Sequence, residues 1–402
     1  MNRKEIEYLV IIMVIFVAAC IETDIYLPAF PDMMAYFAVS EEAIQKLLTW
    51  NFIGFCISGP VYGPISDSFG RRKPLLAALG LFLAGSIVTV VSAGFDGMLW
   101  GRVLQGLGAG GIFTLGTAII FDAFSGKNAV AALNQINSIN PFIFAGAPIL
   151  GGYLNQTYGF RSNFLTIALL VLLSFLICIL FFGETLLPEK RSRFHFQKIL
   201  GDFRQVVTSL PFWQLTAVIS LLFAGYIAFL AGISVLYVIE LGVSKQTFPI
   251  FQATILGANL LASLTCGRAI SLWGISNVKK TGTALVSMGG LATAVVAILA
   301  PTNPYLLTLT MMPYSFGYMW TQTPYCGELM ELLPKIKGIT ASVLTSARLL
   351  ISAFVVGLTS HLYNASIVPL ALVIVGISLI VLITVLFYEK KVKATEGSVT
   401  QI

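Results

Sequence analysis

The sequence predicts an all-α integral membrane protein whose twelve transmembrane helices form two pseudo-symmetric bundles of six. Of its 402 residues, 57% are hydrophobic and only 10% are charged, whereas soluble domains carry about 25% charged residues. Twelve apolar runs are each long enough to cross the hydrocarbon core, which takes roughly 20 helical residues. The predicted spans are 6–28, 43–65, 74–93, 97–121, 129–153, 162–183, 212–239, 247–271, 278–300, 304–330, 338–361 and 366–388.

The positive charges are sorted to one side of these spans. Of the 24 Lys and Arg residues, nineteen fall in segments that are cytoplasmic if the N-terminus is inside. Only Lys46, Arg161 and Lys245 fall in outer segments, while Arg102 and Arg348 lie within spans. Because cytoplasmic loops are enriched in Lys and Arg, we expect both termini in the cytoplasm, at a bacterial inner membrane. The net charge of +6 therefore reports topology, and no nucleic-acid partner is expected.

The two halves of the chain look related. A long polar connection between the sixth and seventh spans gives a bundle at 1–183, a basic cytoplasmic linker at 184–211, a second bundle at 212–388 and a cytoplasmic tail at 389–402. Gly63 and Gly70 are seven residues apart in a basic turn, and Gly267 and Gly274 repeat this spacing 204 residues later. Two six-helix repeats joined by a cytoplasmic linker are an architecture of secondary transporters.

Four segments carry a resemblance to a known family. Residues 63–73 (GPISDSFGRRK) resemble the signature loop of the major facilitator superfamily, and 102–109 (RVLQGLGA) resemble its second motif. Residues 145–152 (AGAPILGG) are similar to the motif of its drug:proton antiporters, and 23–31 (TDIYLPAFP) to the bicyclomycin/chloramphenicol-resistance branch. The resemblance implies a twelve-helix transporter that alternates between inward-open and outward-open states.

Two of these motifs predict gating elements. Glycines allow close backbone approach, and the charges of the basic turn suit an intracellular latch that holds the outward-open state. The resemblance places the span-five motif in a seam that seals one face of the central cavity. The gating candidates are Gly63, Asp67, Gly70, Arg71, Arg72, Gly146, Pro148, Gly151 and Gly152.

Carboxylates within the first span predict proton coupling. Glu22 and Asp24 lie in the outer third of that span, where a carboxylate is costly unless it faces a cavity or a partner. Arg102 enters from the outside to a matching depth and can meet Asp24 if spans one and four are neighbours, as the resemblance implies. We expect Asp24 to carry the proton with Arg102 as its partner, and Glu22 is the second candidate. A purely structural ion pair, or a position in the outer headgroup zone, remains the alternative.

Arg348 is the most unusual residue, because it lies roughly 15 Å into span eleven, near the midplane. It either binds an anionic group of the substrate or pairs with Glu22 or Asp24.

The other substrate-binding candidates lie mostly on polar stripes at helical spacing, for which hydrogen bonding between helices is the alternative. They are Tyr26, Asn51, Asn134, Asn137, Asn140, Gln252, Asn259, Tyr314, Tyr318 and Tyr325.

The sequence favours a proton-coupled exporter of a small organic molecule, which could be a drug, a metabolite or a siderophore-like anion. The alternatives are a proton-coupled importer of a nutrient and a non-transporting sensor on the same scaffold. No nucleotide-binding loop, catalytic triad or paired cysteine spacing is visible, so neither an enzyme nor a metal site is expected. The expected partners are the substrate, protons and the lipid bilayer. We expect a monomer with no cofactor beyond the proton gradient.

Overall fold

The computed structural model describes residues 3–124, 126–186, 189, 191, 196–333 and 336–399. Within these residues the chain forms fourteen α-helices, of which twelve are long. They are α1 (Arg3–Asp24), α2 (Phe30–Phe37), α3 (Glu41–Phe69), α4 (Arg72–Val91), α5 (Phe95–Ala123), α6 (Gly126–Tyr158), α7 (Arg161–Phe181), α8 (Phe196–Val207), α9 (Leu210–Val235), α10 (Phe248–Trp273), α11 (Ile275–Leu299), α12 (Pro304–Leu332), α13 (Lys337–His361) and α14 (Val368–Val399). A 3₁₀ turn at Leu27–Ala29 follows α1, and a π turn at Leu236–Glu240 follows α9.

The twelve long helices confirm the predicted all-α membrane fold. Nine spans among the described residues meet the length and apolarity expected of a membrane-crossing helix. The remaining long helices, α3, α6 and α12, carry the polar stripes seen in the sequence. The 29 residues of α3 still reach about 44 Å. These three helices are therefore long enough to span but too polar to face lipid all round.

The repeated glycines end two equivalent helices. Gly70 follows α3 with φ +88° and Gly274 follows α10 with φ +78°, a left-handed conformation that a side chain disfavours. Their backbone N–H groups donate to Ser66 O and Ile270 O, each at 3.0 Å. The first members of the two pairs do not have this role. A Cβ added at Gly63 would come no nearer than 4.0 Å to another residue, so the close approach expected there is wrong.

The two halves meet along two helix pairs, α3 with α13 and α6 with α10. Ion pairs join the halves at one end of the bundle, which we call the outer end, following the predicted orientation. Asp32 pairs there with Lys245, and the Glu42 carboxylate lies 3.9 Å from His361 Nδ1. The outer end is closed in this structure.

Two glycines of α6 allow its tight packing at the seam between the halves, against the end of α1 and against α10. A Cβ at Gly151 would lie 1.7 Å from the carbonyl oxygen of Ile25, next to the end of α1. A Cβ at Gly152 would lie 2.2 Å from Pro249 Cγ on α10, in the other half. Pro148 is buried, but Gly146 is exposed and a Cβ there would meet nothing within 4 Å. The packing role expected of Gly146 is therefore wrong.

We predict that Gly151→Ala destabilises the protein and that Gly146→Ala does not. The alanine at 151 overlaps a backbone oxygen and forces α6 away from the end of α1, which should cost about 1–3 kcal/mol. The matched change at 146 sits in open space on the same helix, where alanine is the better helix former. The midpoint of thermal unfolding in detergent measures both. Equal midpoints for the two variants would contradict the packing described here.

Candidate functional site

A buried ion pair lies at the centre of the first half. The Arg102 side chain is fully buried, and its Nη1 donates to Glu22 Oε2 at 2.5 Å. Glu22 itself is 1% exposed. Gly106 lets α5 lie close against α3, since a Cβ there would be 2.0 Å from the carbonyl oxygen of Asn51 on α3.

The remaining donors of Arg102 are also paired. Its Nη2 donates to Tyr26 Oη at 3.0 Å, its Nη1 to Gln105 Oε1 at 2.8 Å and its Nε to Leu47 O at 3.3 Å. The guanidinium carbon also lies 4.5 Å from the centre of the Tyr26 ring. A buried arginine satisfied in this way holds α1, α3 and α5 together.

The expected contact between Arg102 and Asp24 is wrong, because Arg102 pairs with Glu22. Residues two apart differ by about 200° around a helix, so only one of the two acids can face α5. Asn51 also binds this acid, since its Nδ2 donates to Glu22 Oε1 at 3.1 Å. Asn51 and Tyr26, both predicted to bind substrate, therefore serve this ion pair instead.

Asp24 faces the other half of the protein. It is 4% exposed, and no hydrogen bond or ion pair reaches its carboxylate from the described residues. Its electrostatic neighbour across the seam is Tyr226 of α9. A charge this deeply buried is costly when no cation lies beside it.

A row of aromatic rings runs from Tyr226 towards Arg348. Tyr226 stacks on Tyr318 with ring centres 5.5 Å apart, and Tyr318 lies 6.3 Å from Phe223. The guanidinium carbon of Arg348 lies 4.9 Å from the centre of the Phe223 ring. The row joins the unpaired acid of the first half to a cation of the second. The sequence stripes pointed to Tyr318 but missed Tyr226 and Phe223, which look like ordinary apolar-span residues.

Arg348 makes no ion pair with any residue that the structure describes, and its Nε is buried without a hydrogen bond. Its expected alternative partner Glu22 is already bound to Arg102. Arg348 is only partly buried, so its remaining donors can reach a ligand.

Four of the other predicted substrate residues divide into two groups. Tyr314 Oη donates to Leu222 O at 3.2 Å and Tyr325 Oη donates to Glu389 at 3.0 Å, so these two hydroxyls join helices. Gln252 and Asn259 keep buried amide atoms without partners among the described residues. The side chains of Asn134, Asn137 and Asn140 lie outside those described.

The basic turn forms a charged cluster at the end of the first half that lies opposite the outer end. Arg71 Nε donates to Asp122 at 2.7 Å and its Nη1 donates to Asp67 at 2.6 Å. The backbone N–H groups of Arg71 and Arg72 donate to Glu184 at 2.8 and 3.4 Å. A Cβ at Gly70 would overlap Glu184 Oε2, which explains the glycine. Every described partner of the proposed latch thus belongs to the first half or to the start of the linker.

Glu184, in the predicted linker, is held ionised. Partial burial raises the pKa of its carboxyl. The backbone N–H groups of Arg71, Leu186 and Arg72, together with the Arg191 charge, lower this pKa by a larger amount. The net pKa lies below the ordinary value, so Glu184 carries no proton at neutral pH.

The second half has a comparable cluster that the sequence did not reveal. Lys279 Nζ donates to Glu328 at 2.7 Å and to Glu389 at 2.5 Å, and lies 4.7 Å from the Tyr325 ring centre. Ser271, the counterpart of Asp67, bonds only to Arg268 O, at 2.8 Å, among the residues that the structure describes. The two clusters therefore differ, as the unequal repeat predicted.

Comparison with known proteins identifies the architecture. A family model described as Major Facilitator Superfamily matches residues 12–357. The uncharacterized MFS-type transporter YdgK of Bacillus subtilis (strain 168) is 28% identical over 305 residues, covering 74% of this chain and 73% of YdgK. The bicyclomycin resistance protein homolog of Haemophilus influenzae is 24% identical over 362 residues, covering 86% of this chain and 87% of that protein. A solved bacterial homologue of the human lysosomal transporter Spinster, inward-facing and unoccupied, shares the fold with a TM-score of 0.75 at 15% identity, over 96% of this chain and 97% of that one.

We predict that Glu22→Gln destabilises the protein strongly and that Asp24→Asn does not. Removing the Glu22 charge leaves Arg102 buried without a counter-charge, which should cost about 3 kcal/mol. Asp24 has no cation to leave behind, so its amide should fold as well as the acid. Thermal unfolding midpoints of the purified variants test this. A larger loss for Asp24→Asn would mean that Asp24 has an ionic partner after all.

Proposed function

Because the chain belongs to the Major Facilitator Superfamily, we propose that it is a proton-coupled antiporter that exports a small organic molecule by alternating access. The unpaired Asp24 carboxylate at the seam between the halves carries this proposal. The similarity to the bicyclomycin resistance protein homolog of Haemophilus influenzae supports export. The proposal includes a monomer in a bacterial inner membrane, with both termini in the cytoplasm and with the proton gradient, rather than a cofactor or a reaction, as its energy source.

Asp24 is the proton carrier in this proposal. In the closed outer state it faces Tyr226 of the opposite half, with no cation to hold it ionised. When the halves part, water reaches the carboxylate and stabilises its charged form. Protonation and the closing of the seam are thereby linked, which is what coupling requires.

Glu22 and Arg102 form the framework against which Asp24 works. Their network fixes α1 against α3 and α5, so the far face of α1 presents Asp24 to α9. Because both charges are paired and buried, this ion pair should stay closed throughout the cycle.

Arg348 is the proposed anchor for an anionic or strongly electronegative group of the substrate. A guanidinium supplies a planar fork of donors, and this one keeps a buried Nε without a partner. The stacked Tyr226 and Tyr318 rings offer a flat apolar surface beside it. A planar organic molecule with one acceptor group fits these features best.

We predict that Asp24→Asn abolishes substrate-driven proton movement while Asp96→Asn retains it. Asparagine cannot take up a proton, whereas Asp96 is exposed at the start of α5. The measurement uses energised inverted vesicles with a pH-sensitive dye, to which bicyclomycin and a panel of neutral, cationic and anionic compounds are added. Substrate-triggered proton release from the lumen indicates antiport, and proton movement together with the substrate would indicate import. Full coupling in Asp24→Asn would remove Asp24 as the carrier.

We further predict that Arg348→Gln lowers the transport of anionic compounds by about tenfold or more relative to neutral ones, the loss expected for a charge-assisted hydrogen bond. Arg268→Gln, an exposed arginine on α10, is the matched control and should leave the ratio unchanged. Rates for salicylate and bicyclomycin in the same vesicles give this ratio. Anion transport unchanged by Arg348→Gln would exclude the anchoring role.

A further inference from the structure

A second buried carboxylate lies where the two halves meet at the outer end. Glu41 begins α3, whose first turn is capped by Ser40 Oγ, the acceptor for Ala43 N–H at 3.2 Å. The side chain faces a small cavity shared with the second half and is 6% exposed. Its other lining residues include Gln45, Gly232, Leu236, Thr359 and Tyr363. Glu41 is thus buried by the contact of α3 with α9 and α13.

The polar atoms around Glu41 do not balance if its carboxyl is ionised. Gln45 Nε2 donates to Oε1 of Glu41, but Glu41 Oε2 is buried with no partner among the described residues. Gln45 Oε1 is also buried without a donor, and a proton on Glu41 Oε2 would supply one. Ser360 Oγ is buried nearby without a hydrogen bond, and its hydroxyl can donate to an ionised Oε2 or accept from a protonated one, so it is compatible with both forms.

The surrounding charges favour the same protonated form. The nearest acid on its own helix is Glu42, whose carboxylate is 3.9 Å from Lys46 Nζ and 3.9 Å from His361 Nδ1 of α13.

From the π turn after α9 comes Glu240, which is exposed and accepts a hydrogen bond from Tyr363 Oη at 3.4 Å. No described cation contacts Glu41 itself. A carboxyl group that is buried and lacks a cation is stabilised as the neutral acid, and the Glu42 charge acts in the same direction.

We propose that Glu41 is a second proton-binding site, neutral when the outer end is closed and ionised when it is open. Closing the contact between α3 and α13 then requires uptake of one proton from the outer medium, which forms the Oε2–H bond. Opening the contact returns this proton to the same side, so Glu41 gates the outer end and does not add to the protons transported. The inference rests on the alternating access of the proposed function but not on Asp24 as the carrier.

The test measures the width of the outer end as a function of pH. Spin labels at Gln156 and Thr302, both exposed and in opposite halves, report this distance in nanodiscs after the five native cysteines are replaced. The background is Asp24→Asn, which removes the proton that closing the seam links to Asp24. On this background we expect the open population to grow as pH rises, by up to about tenfold per pH unit for one linked proton. Adding Glu41→Gln, which is uncharged and keeps the shape of the acid, should keep the outer end closed at every pH.

Matched variants separate Glu41 from its titratable neighbours. On the same background, Glu42→Gln and His361→Gln should keep the pH response. A pH response retained after Glu41→Gln would overturn the proposal, as would a distance that does not change with pH in the Asp24→Asn background. Loss of the response in Glu42→Gln or His361→Gln instead would assign the proton to that residue. Because no substrate or gradient is present, the result is independent of the Asp24 transport assay.

Discussion

The hydrogen-bonded ion pair between Glu22 and Arg102 is the interaction on which the rest of the first half depends. Removing either charge would leave the other uncompensated inside the bundle, so α1 cannot rotate or slide without breaking the pair. Asn51, Tyr26 and Gln105 complete the pair by occupying its remaining hydrogen-bonding positions. With α1 fixed in this way, Asp24 points away from α5 and meets the opposite half. The ion pair thereby decides which acid is available for protons.

Three buried carboxyl groups in the first half illustrate how the partner determines the role. Glu22 has an arginine at 2.5 Å and belongs to the framework. Asp24 has an aromatic neighbour from the other half and no cation among the described residues, which suits a carrier. Glu41 has an amide donor on one oxygen, while no described residue makes a hydrogen bond within range to the other, which suits a gate. Residue type alone does not distinguish these roles. They are distinguished by the burial of each carboxyl group and by its partner.

The sequence predicted the fold well because membrane-spanning length, apolarity and charge sidedness act locally along the chain. The paired glycines were also informative, since Gly70 and Gly274 both need a left-handed backbone. The acid that pairs with Arg102 was not predictable, because the pairing depends on how α1 is rotated about its axis. Asp24 was expected to meet Arg102, but a 200° difference places Glu22 there instead. Glu41 gave no sequence signal, because an acid in the first turn of a helix is ordinary and only packing against the second half buries it.

The two acids without cations lie on the two seams that must part together. Asp24 ends the helix whose next residue, Ile25, packs against Gly151, while the neighbouring Gly152 packs against α10. Glu41 lies on the other contact, between α3 and α13. A rigid rotation of one half against the other at the outer end would expose both carboxyls to water in one step, because neither seam can open alone. Protons from the outer medium would then favour closure through both acids, although only Asp24 faces the aromatic row that leads to Arg348. In this arrangement one acid couples to the substrate and the other sets how readily the outer end closes around it.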